Sequence, residues 1–437
     1  MKCKCLAASG IGLLLLLFAP RAAHGQTLLT QTTWGGTGSD AAEAVATASD
    51  GSSYVVGITF SFTTDQFPRI FIVKFAPDGS LAWQRIWNGP TISGLGRPDV
   101  AIDSGGSVYV TGVSAGNGGD AVLLKFDPGG MLLWERTWGG AASDVGKAVA
   151  TAPDGSVYIA GTETSFGSSS LGLFVVKFDA DGNVVRQTIA DGAEGSGIAV
   201  ASDGSVYAAG TMARDLIGNF DMLVLKISAT GDQVWRRTYT AGDVADARGR
   251  IAIAPDGSIV VAGAIQSIKA STGDITALIV KISPDGNLVF DKQFDGRGGE
   301  TGKGVAVAPD DGTIYIAGAT TSFGAGSQDA FVLHVQSTGK KVIEAVTWGG
   351  TGFETGAGVA VSGATIALAA TTLAAPPYSL LNAAARLSAP RSTFAAAAGV
   401  LNGVAGVVAN PGAGASEPNG STTFSGNAEA ALVRIRR

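Results

Sequence analysis

A short phrase that recurs about every 50 residues constrains the fold of this 437-residue chain more than any other feature. The phrase is a turn, usually Asp-Gly, followed by a β-rich run that ends in glycine. Asp-Gly between apolar runs predicts a tight hairpin, because glycine accepts the positive φ that such turns need. Six full copies and one worn copy occupy residues 50–57, 105–112, 154–161, 203–210, 256–263, 311–318 and 362–369.

A second marker is a basic residue near the end of a β-rich run, followed by an apolar residue. Its instances lie 48 to 55 residues apart: Lys74, Lys125, Lys177, Lys226, Lys281, His334, Arg386 and Arg434. This marker gives eight units. The third unit divides into four strands, at about 146–151, 156–161, 173–178 and 183–189.

Four short strands repeated at this period are typical of the blades of a β-propeller. We therefore predict an all-β, eight-bladed propeller of four-stranded antiparallel blades. The eighth unit, after about Ala396, is worn, and its second strand near 412–420 is scarcely β-like. The alternative is seven blades with a long insertion in the last.

The two ends of the chain predict how the ring closes. The chain finishes on a third strand, 430–435, with no fourth strand after it. Residues 27–34, which end in Trp34, match the fourth strand of the second unit, which ends in Trp138. We therefore expect the N-terminal strand to complete the last blade and to remove two open sheet edges.

The Trp-Gly-Gly-x-Gly-x-Asp start of each unit, as in Trp34–Asp40, and the Asp-Gly-Ser-Val-Tyr-x-x-Gly phrase resemble the SBBP family of bacterial β-propeller repeats. The resemblance covers nearly all of the chain after residue 25. It implies a propeller of seven blades, whereas the basic residues count eight.

Residues 1–25 resemble a secretory signal, with Lys2 and Lys4 before an apolar run too short to span a bilayer comfortably. We expect cleavage after Gly25, a single propeller domain over 26–437, no membrane span, and a secreted, periplasmic or cell-surface monomer. Both cysteines leave with the signal, so disulfides and thiol chemistry are excluded. Removing three basic residues leaves 27 against 36 acids, a net charge of about −9 that disfavours nucleic-acid binding.

Two repeated patterns favour a structural role for their residues over a role in ligand binding. Fourth strands carry aromatic, basic and aromatic residues at alternate positions, as in Trp134, Arg136 and Trp138. This pattern suits either a sugar platform or packing between blades, and its repetition around the ring favours packing. The cations that end the third strands suit either an anion site or a structural Lys–Asp or Lys–carbonyl contact, and we favour the structural contact.

Most units also hold an acid a few residues after the fourth-strand aromatic residue. These acids predict an acidic rim on the loop face, able to bind Ca²⁺ or a cationic ligand: Asp40, Asp99, Asp144, Glu194, Asp246, Glu300 and Glu354. The alternative is that each acid caps its own glycine-rich loop. No other cofactor or metal site is expected.

The leading functional hypothesis is a binding or scaffold module for protein or glycan, because a rigid ring carries polar loops and no catalytic constellation. The second is a carboxylate-based polysaccharide hydrolase or lyase, for which Asp144 and Glu300 are the acids to replace. The third is a purely structural envelope protein.

Overall fold

The computed structural model of the protein describes residues 26–65, 67–89, 97–115, 118–167, 171–214, 220–240, 244–246, 250–266, 275–294, 296, 298–373, 379–382, 400–401, 405–407 and 428–437. The predicted signal, residues 1–25, lies outside this part. All regular elements of the described part are β-strands, and they form seven sheets.

Each sheet contains one blade of four antiparallel strands, ordered from the inner strand at the axis to the outer strand at the rim, and short additional strands extend the sheets of two blades. In chain order the strands are β1 (Thr27–Trp34), β2 (Asp40–Thr47), β3 (Ser53–Thr59), β4 (Arg69–Phe75), β5 (Leu81–Ile86), β6 (Asp99–Ile102), β7 (Val108–Val113), β8 (Ala121–Phe126), β9 (Leu132–Trp138), β10 (Asp144–Thr151), β11 (Val157–Glu163), β12 (Gly172–Phe178), β13 (Val184–Asp191), β14 (Ala193–Val200), β15 (Val206–Ala213), β16 (Phe220–Ile227), β17 (Gln233–Tyr239), β18 (Val244–Asp246), β19 (Ile251–Ile253), β20 (Ile259–Gln266), β21 (Ile275–Ile282), β22 (Leu288–Phe294), β23 (Glu300–Val307), β24 (Ile314–Thr320), β25 (Asp329–Val335), β26 (Val342–Gly349), β27 (Glu354–Ser362), β28 (Thr365–Thr372), β29 (Ser379–Asn382), β30 (Val400–Leu401), β31 (Ala405–Val407) and β32 (Glu429–Arg436).

Blades 1 to 4 take β2–β5, β6–β9, β10–β13 and β14–β17, and blade 5 takes β18–β22, with its inner strand in two pieces. Blade 6 is β23–β26, and blade 7 is β27, β28, β32 and β1. Middle strands are buried on both faces, which explains continuous apolar runs such as that of β12. Outer strands such as β9 have mostly exposed positions.

The prediction of eight blades is wrong, and the seven-bladed alternative describes the fold. Residues 373–428 separate the second and third strands of blade 7, and Arg386, the seventh of the eight basic markers, lies outside the described residues. This stretch lacks the Asp-Gly turn that joins the first two strands of a blade. Its short strands instead extend existing sheets: β29 pairs with the outer edge of β26, β30 pairs with β29, and β31 pairs with β1.

The N-terminal strand closes the ring as the chain ends predict. β1 pairs antiparallel with β32 along its whole length, from Thr27 opposite Arg436 to Trp34 opposite Ala430. It is therefore the outer strand of blade 7, built from the two ends of the described chain.

Seven apolar clusters fill the seams between neighbouring blades, one for each seam. In the first seam, Ile72 of blade 1 packs with Val110 of blade 2. In the last seam, Leu432 of blade 7 packs with Phe71 of blade 1. The core is thus a closed annulus, and each blade depends on two neighbours for burial.

The repeated tryptophans tie adjacent outer strands together. The indole N–H of Trp34 donates to Gln84 Oε1 of blade 1 at 2.7 Å, and that of Trp138 donates to Gln187 Oε1 of blade 3 at 3.1 Å. The outer-strand aromatics therefore pack between blades.

The repeated cations make local contacts on the face that carries the turns between strands one and two and between strands three and four, here called the turn face. Lys125 Nζ donates to the carbonyl of Ala180 in the next blade at 3.1 Å. Lys177 Nζ lies 2.9 Å from Asp154 Oδ2 in its own blade. These are the structural contacts that the sequence favours.

Candidate functional site

Four of the predicted rim acids begin inner strands and are buried on the opposite, loop face of the ring. Each accepts the backbone N–H of the residue four positions earlier, in its own loop. The donor–acceptor distances are 2.9 Å for Gly36 to Asp40, 2.7 Å for Gly140 to Asp144, 2.7 Å for Gly296 to Glu300 and 3.1 Å for Gly350 to Glu354. A hydroxyl of the second-to-third-strand loop adds a bond, such as Ser165 Oγ to Asp144 Oδ2 at 2.6 Å.

These four carboxylates therefore brace their own loops, which is the arrangement proposed as the alternative to a ligand-binding rim. Among the described residues, no group of three or more His, Cys, Asp or Glu side chains could hold a metal ion. The ligand-binding role of the rim acids and the binding of Ca²⁺ remain predictions. Asp144 and Glu300, the acids named for carboxylate chemistry, lie in blades 3 and 6 and not together.

A second acid lies beside several of these carboxylates, and the sequence analysis missed it. Asp120 Oδ1 and Asp144 Oδ2 both lie within 2.9 Å of the position that a Cβ would occupy on Gly139. Burial, together with the charge of Asp144, raises the pKa of Asp120. An acid five residues before the basic marker of its unit would have revealed this position: Asp120, Asp221, Asp329 and Glu429.

The other three predicted acids occupy different places. Glu194 is half-buried on β14, 3.8 Å from Lys147 Nζ of blade 3. Asp246 ends β18, and its side chain is outside the described part of the chain. Asp99 lies deeper in the ring, one residue before Val100, which pairs with Val110.

The strand register places Asp99 and Arg250 at equivalent positions on the inner strands of blades 2 and 5. The same position in the other five blades holds only a small residue: Ala44, Ala148, Gly197, Gly304 and Gly358. Asp99 and Arg250 are therefore departures from the repeat on the inner strands.

Arg250 crosses the axis. Its guanidinium forms an ion pair with Asp99, and blades 5 and 2 lie on opposite sides of a seven-membered ring. It also donates to the carbonyl of Glu43 in blade 1, at 3.3 Å. Burial raises the pKa of Asp99, and Arg250 and the backbone N–H groups of Val149 and Val100 act in the opposite direction.

Further charged residues lie next to this position in the chain, among them Glu43, Lys147 and Lys303 at the bulges of β2, β10 and β23. A β-bulge leaves Glu43 unpaired in β2 and Lys303 unpaired in β23, and bulges are a common way to re-aim a side chain. Arg97, two residues before Asp99, has its Nε 3.7 Å from Glu43 Oε2. We call Glu43, Arg97, Asp99, Arg250 and Lys303 the axial cluster.

Lys303 is the cation of this cluster with the weakest local pairing. It makes no hydrogen bond or ion pair within the described part of the chain. Burial, together with the positive charge of Arg97, lowers its pKa to about 8, and Glu43 acts in the opposite direction. Lys303 lies at the bulge of β23, the inner strand of blade 6.

The fold and this site define a seven-bladed β-propeller with a charged axial mouth. A family described as a β-propeller domain of unknown function (DUF5122) matches residues 152–184, the Asp154–Gly155 turn and the two strands that follow it. No curated protein matches the chain.

Several solved structures are similar in fold. A puromycin hydrolase mutant has a TM-score of 0.49 and 18% identity, with 79% of this chain and 52% of that chain covered, so this chain spans about half of that protein's length. The Pan2 WD40 domain of Neurospora crassa has a TM-score of 0.49, 12% identity and coverages of 78% and 91%. An ulvan lyase of family PL25 has a TM-score of 0.47, 10% identity and coverages of 77% and 93%. None of these likenesses bears on activity.

A membrane-crossing helix is not found: no helix in the described residues is long and apolar enough to span a bilayer.

Proposed function

We propose that this protein is an exported binding module whose ligand site is the axial mouth on the loop face. The observation that carries the proposal is that charged residues absent from the repeat converge on the axis from different blades. Arg250, Asp99 and Glu43 belong to blades 5, 2 and 1 and are joined by direct contacts.

Residues that the blades share have a structural role, and residues that depart from the repeat are candidates for a ligand site. Shared residues such as Trp138 and Lys125 make contacts between blades, so scaffolding accounts for them. Asp99 and Arg250 have no charged counterpart in the other five blades, where a small residue occupies their position. Buried charges cost desolvation free energy, so a scaffold alone has no need of them at its centre.

The proposal of export is supported by the resemblance of residues 1–25 to a secretory signal and by the position of both cysteines within that segment. A protein or a glycan outside the cytoplasm is accordingly the class of ligand that we propose, with the ring acting as a rigid frame for its loops.

A thermal-shift and calorimetric screen of the purified protein against glycans and candidate proteins tests this function. Ligands that bind the axial mouth should lose affinity by about tenfold or more in Arg97→Gln. Lys226→Met is the matched control, because Lys226 Nζ donates to the carbonyl of Pro284 on the opposite face, at 3.2 Å. A ligand whose affinity is unchanged by Arg97→Gln and lowered by Lys226→Met would place the site on the turn face and refute the proposal.

The second candidate, a carboxylate-based polysaccharide hydrolase or lyase, is supported by the proximity of Asp120 and Asp144. Carboxylate pairs are the machinery of glycoside hydrolysis. Against it, Asp144 is fully buried and bonded to its own loop, and a similar pair recurs in another seam as Asp329 and Glu354. Turnover of a polysaccharide that is abolished by Asp120→Asn would favour this candidate.

A further inference from the structure

The outer strand of blade 3 lacks an aromatic ring that other outer strands carry at the same register. In blade 2, Trp134 lies opposite Lys125 of the neighbouring strand. In blade 3, the residue opposite the equivalent Lys177 is Arg186. Blades 1, 4 and 5 have an aromatic residue at this position: Trp83, Trp235 and Phe290. The seam between blades 3 and 4 is therefore a local departure from the repeat.

Where the ring is present, it makes a repeated set of contacts. The indole N–H of Trp134 donates to the carbonyl of Ala180 in the next blade at 3.3 Å, and the indole ring lies 6.0 Å from the ring of Tyr109. Its Cδ2 lies 3.2 Å from the position that a Cβ would occupy on Gly182. The same N–H to carbonyl bond, at 3.1 Å, joins Trp83 to Pro128 and Trp235 to Pro284.

The partners of this ring are present in the seam between blades 3 and 4, although the ring is not. The carbonyl of Ala229, which is equivalent to that of Ala180, accepts no hydrogen bond within the described part of the chain. Lys177 Nζ, which could donate to it, bonds to Asp154 of its own blade instead, at 2.9 Å. Tyr158 is 7% exposed, against 1–2% for the tyrosines that have an indole beside them: Tyr54, Tyr109 and Tyr207.

An open cavity of about 70 Å³ lies at this place on the turn face. Its walls include Tyr158, Arg186 and Thr188 of blade 3 and Ala229 and Gly231 of blade 4, and we call these five residues the seam notch. The guanidinium of Arg186 lies over Gly231, where other seams place a ring over the equivalent glycine. A guanidinium is smaller than an indole, which accounts for the space that remains.

Arg186 can leave this position without losing a partner. Its side chain is exposed, and among the described residues it makes no hydrogen bond or ion pair. Arginine also packs on an indole elsewhere in the ring, since the guanidinium of Arg136 lies 5.3 Å from the ring of Trp134. Arg186 can therefore lift away from Gly231 and cover the outer face of a ring that enters, as a cation–π contact.

We infer that the seam notch binds a tryptophan side chain of a partner polypeptide. In the complex, the indole lies over Gly231 with its edge toward Tyr158, and its N–H donates to the carbonyl of Ala229. Indole combines a large apolar surface with a single N–H donor, which are the two features that this seam lacks. The inference goes beyond the proposed function, because the seam notch is on the turn face and the axial mouth is on the loop face.

A second copy of this chain cannot supply the indole. The chain has seven tryptophans, and each already donates its indole N–H within the fold: Trp34, Trp83, Trp87, Trp134, Trp138, Trp235 and Trp348. The ring must therefore come from another molecule.

A polypeptide is favoured over free indole by the outer strand beside the seam notch. Within the described residues, β13 pairs only with β12, so its outer edge is open to a further strand. The chain itself adds short strands to such edges, since β29 pairs with β26 and β31 pairs with β1. An extended segment that pairs with β13 directs alternate side chains to the side of the seam notch, and the backbone bonds add affinity.

The test is calorimetric titration of the purified protein with an acetylated and amidated pentapeptide, Thr-Thr-Trp-Thr-Thr. One peptide should bind per protein. Replacing its tryptophan by 1-methyltryptophan removes the donor and should weaken binding about threefold to tenfold. Replacing it by leucine removes the ring and should weaken binding about tenfold or more. These comparisons use the unmodified protein, so they do not depend on how a variant folds.

Arg186→Trp places the chain's own indole in the seam notch. It should weaken peptide binding about tenfold or more and raise the melting temperature, because the ring restores the contacts of the repeat. The matched control is Lys292→Trp, which replaces an exposed cation on the outer strand of blade 5, where Phe290 already lies over Gly339. This control should leave peptide affinity unchanged.

Several results would overturn the inference. An affinity that is unchanged in Arg186→Trp, or equally reduced in Lys292→Trp, removes the peptide from the seam notch. Equal binding of the 1-methyltryptophan peptide overturns the bond to Ala229, and N-acetyltryptophanamide that binds as tightly as the peptide overturns the polypeptide assignment. Absence of peptide binding at millimolar concentration makes the inference wrong. The proposed function is decided separately, because Arg97→Gln should leave peptide binding unchanged.

Discussion

The guanidinium of Arg250 and the carboxylate of Asp99 meet across the axis of the ring and join blades that are not neighbours in sequence or in space. Arg250 also donates to the carbonyl of Glu43 in blade 1, which is likewise not adjacent to blade 5. The Arg250–Asp99 pair therefore couples blades 5 and 2 directly.

Arg250→Met should destabilise the protein by about 3 kcal/mol, because it leaves the buried carboxylate of Asp99 without its counter-charge. Adding Asp99→Asn, which keeps acceptors for the backbone donors, should recover more than half of that loss. The midpoint of urea unfolding measures both changes. The control is Lys177→Met, which breaks an ion pair to Asp154, whose side chain is 58% exposed, and should cost less than about 1 kcal/mol. Equal losses in Arg250→Met and Lys177→Met would contradict a buried axial pair.

Trp34→Ala should destabilise the protein by about 3–5 kcal/mol, because Trp34 is 5% exposed and packs its ring 4.3 Å from that of Phe71 in blade 1. Gln84→Ala removes only the hydrogen bond to the indole and should cost about 1 kcal/mol. Deleting residues 27–34 should open blade 7 first. Hydrogen exchange should then accelerate in Glu429–Arg436 before Gly172–Phe178 on the far side of the ring, and simultaneous loss of protection in both strands would contradict this order.

Much of the fold follows from the sequence, because each blade carries its signal within its own stretch of residues. The turn at Asp154–Gly155 and the four strands of the third unit lie within two residues of their predicted bounds. The predicted count of eight blades was wrong, because Arg386 and Arg434 keep the spacing of the basic markers although no Asp-Gly turn lies between them. Apolar, alanine-rich segments of that stretch can add to existing sheet edges, as β29 and β31 do.

The candidate site was harder to predict for a physical reason. Spacing along the chain places Asp99 with the rim acids, but the short inner strand of blade 2 shifts it to a deeper position. The contact between Arg250 and Asp99 depends on closure of the ring and on the strand register of two distant blades. No local sequence pattern specifies either of these. Lys303 and Glu43 likewise lie at bulges, which the alternation of residues in a strand does not reveal.

Lowering the pH from 8 to about 5 should stabilise the protein, because burial raises the pKa values of Asp329 and Glu354, which lie close together in one seam. A carboxyl group whose pKa is higher in the folded state costs stability when ionised, and protonation relieves that cost as the pH falls toward its ordinary value near 4. Asp329→Asn should therefore stabilise the protein by about 1 kcal/mol at pH 8 and by little at pH 5.

The matched control for this pH dependence is Asp154, whose pKa is shifted in the opposite direction. Hydrogen bonds from Ser156 and Lys177 lower the pKa of Asp154 to about 2, so its contribution is present above pH 4 and is lost as the pH falls toward 2. Asp154→Asn should leave the slope between pH 8 and pH 5 unchanged. Thermal unfolding of the three proteins at several pH values measures these slopes. A slope above pH 5 that persists in Asp329→Asn would show that other groups cause it.

Asp144→Asn should lower the free energy of unfolding by about 2 kcal/mol, because the buried carboxylate accepts charged hydrogen bonds from Gly140 N–H and Ser165 Oγ at 2.7 and 2.6 Å. If loop bracing is its role, the loss should be the same with millimolar calcium and with chelator. A rim that holds Ca²⁺ would behave differently, since bound metal stabilises the folded state by mass action. The unmodified protein would then gain melting temperature with calcium, and Asp144→Asn would not. Asp179→Asn, on an exposed turn of the opposite face, is the control for non-specific calcium effects.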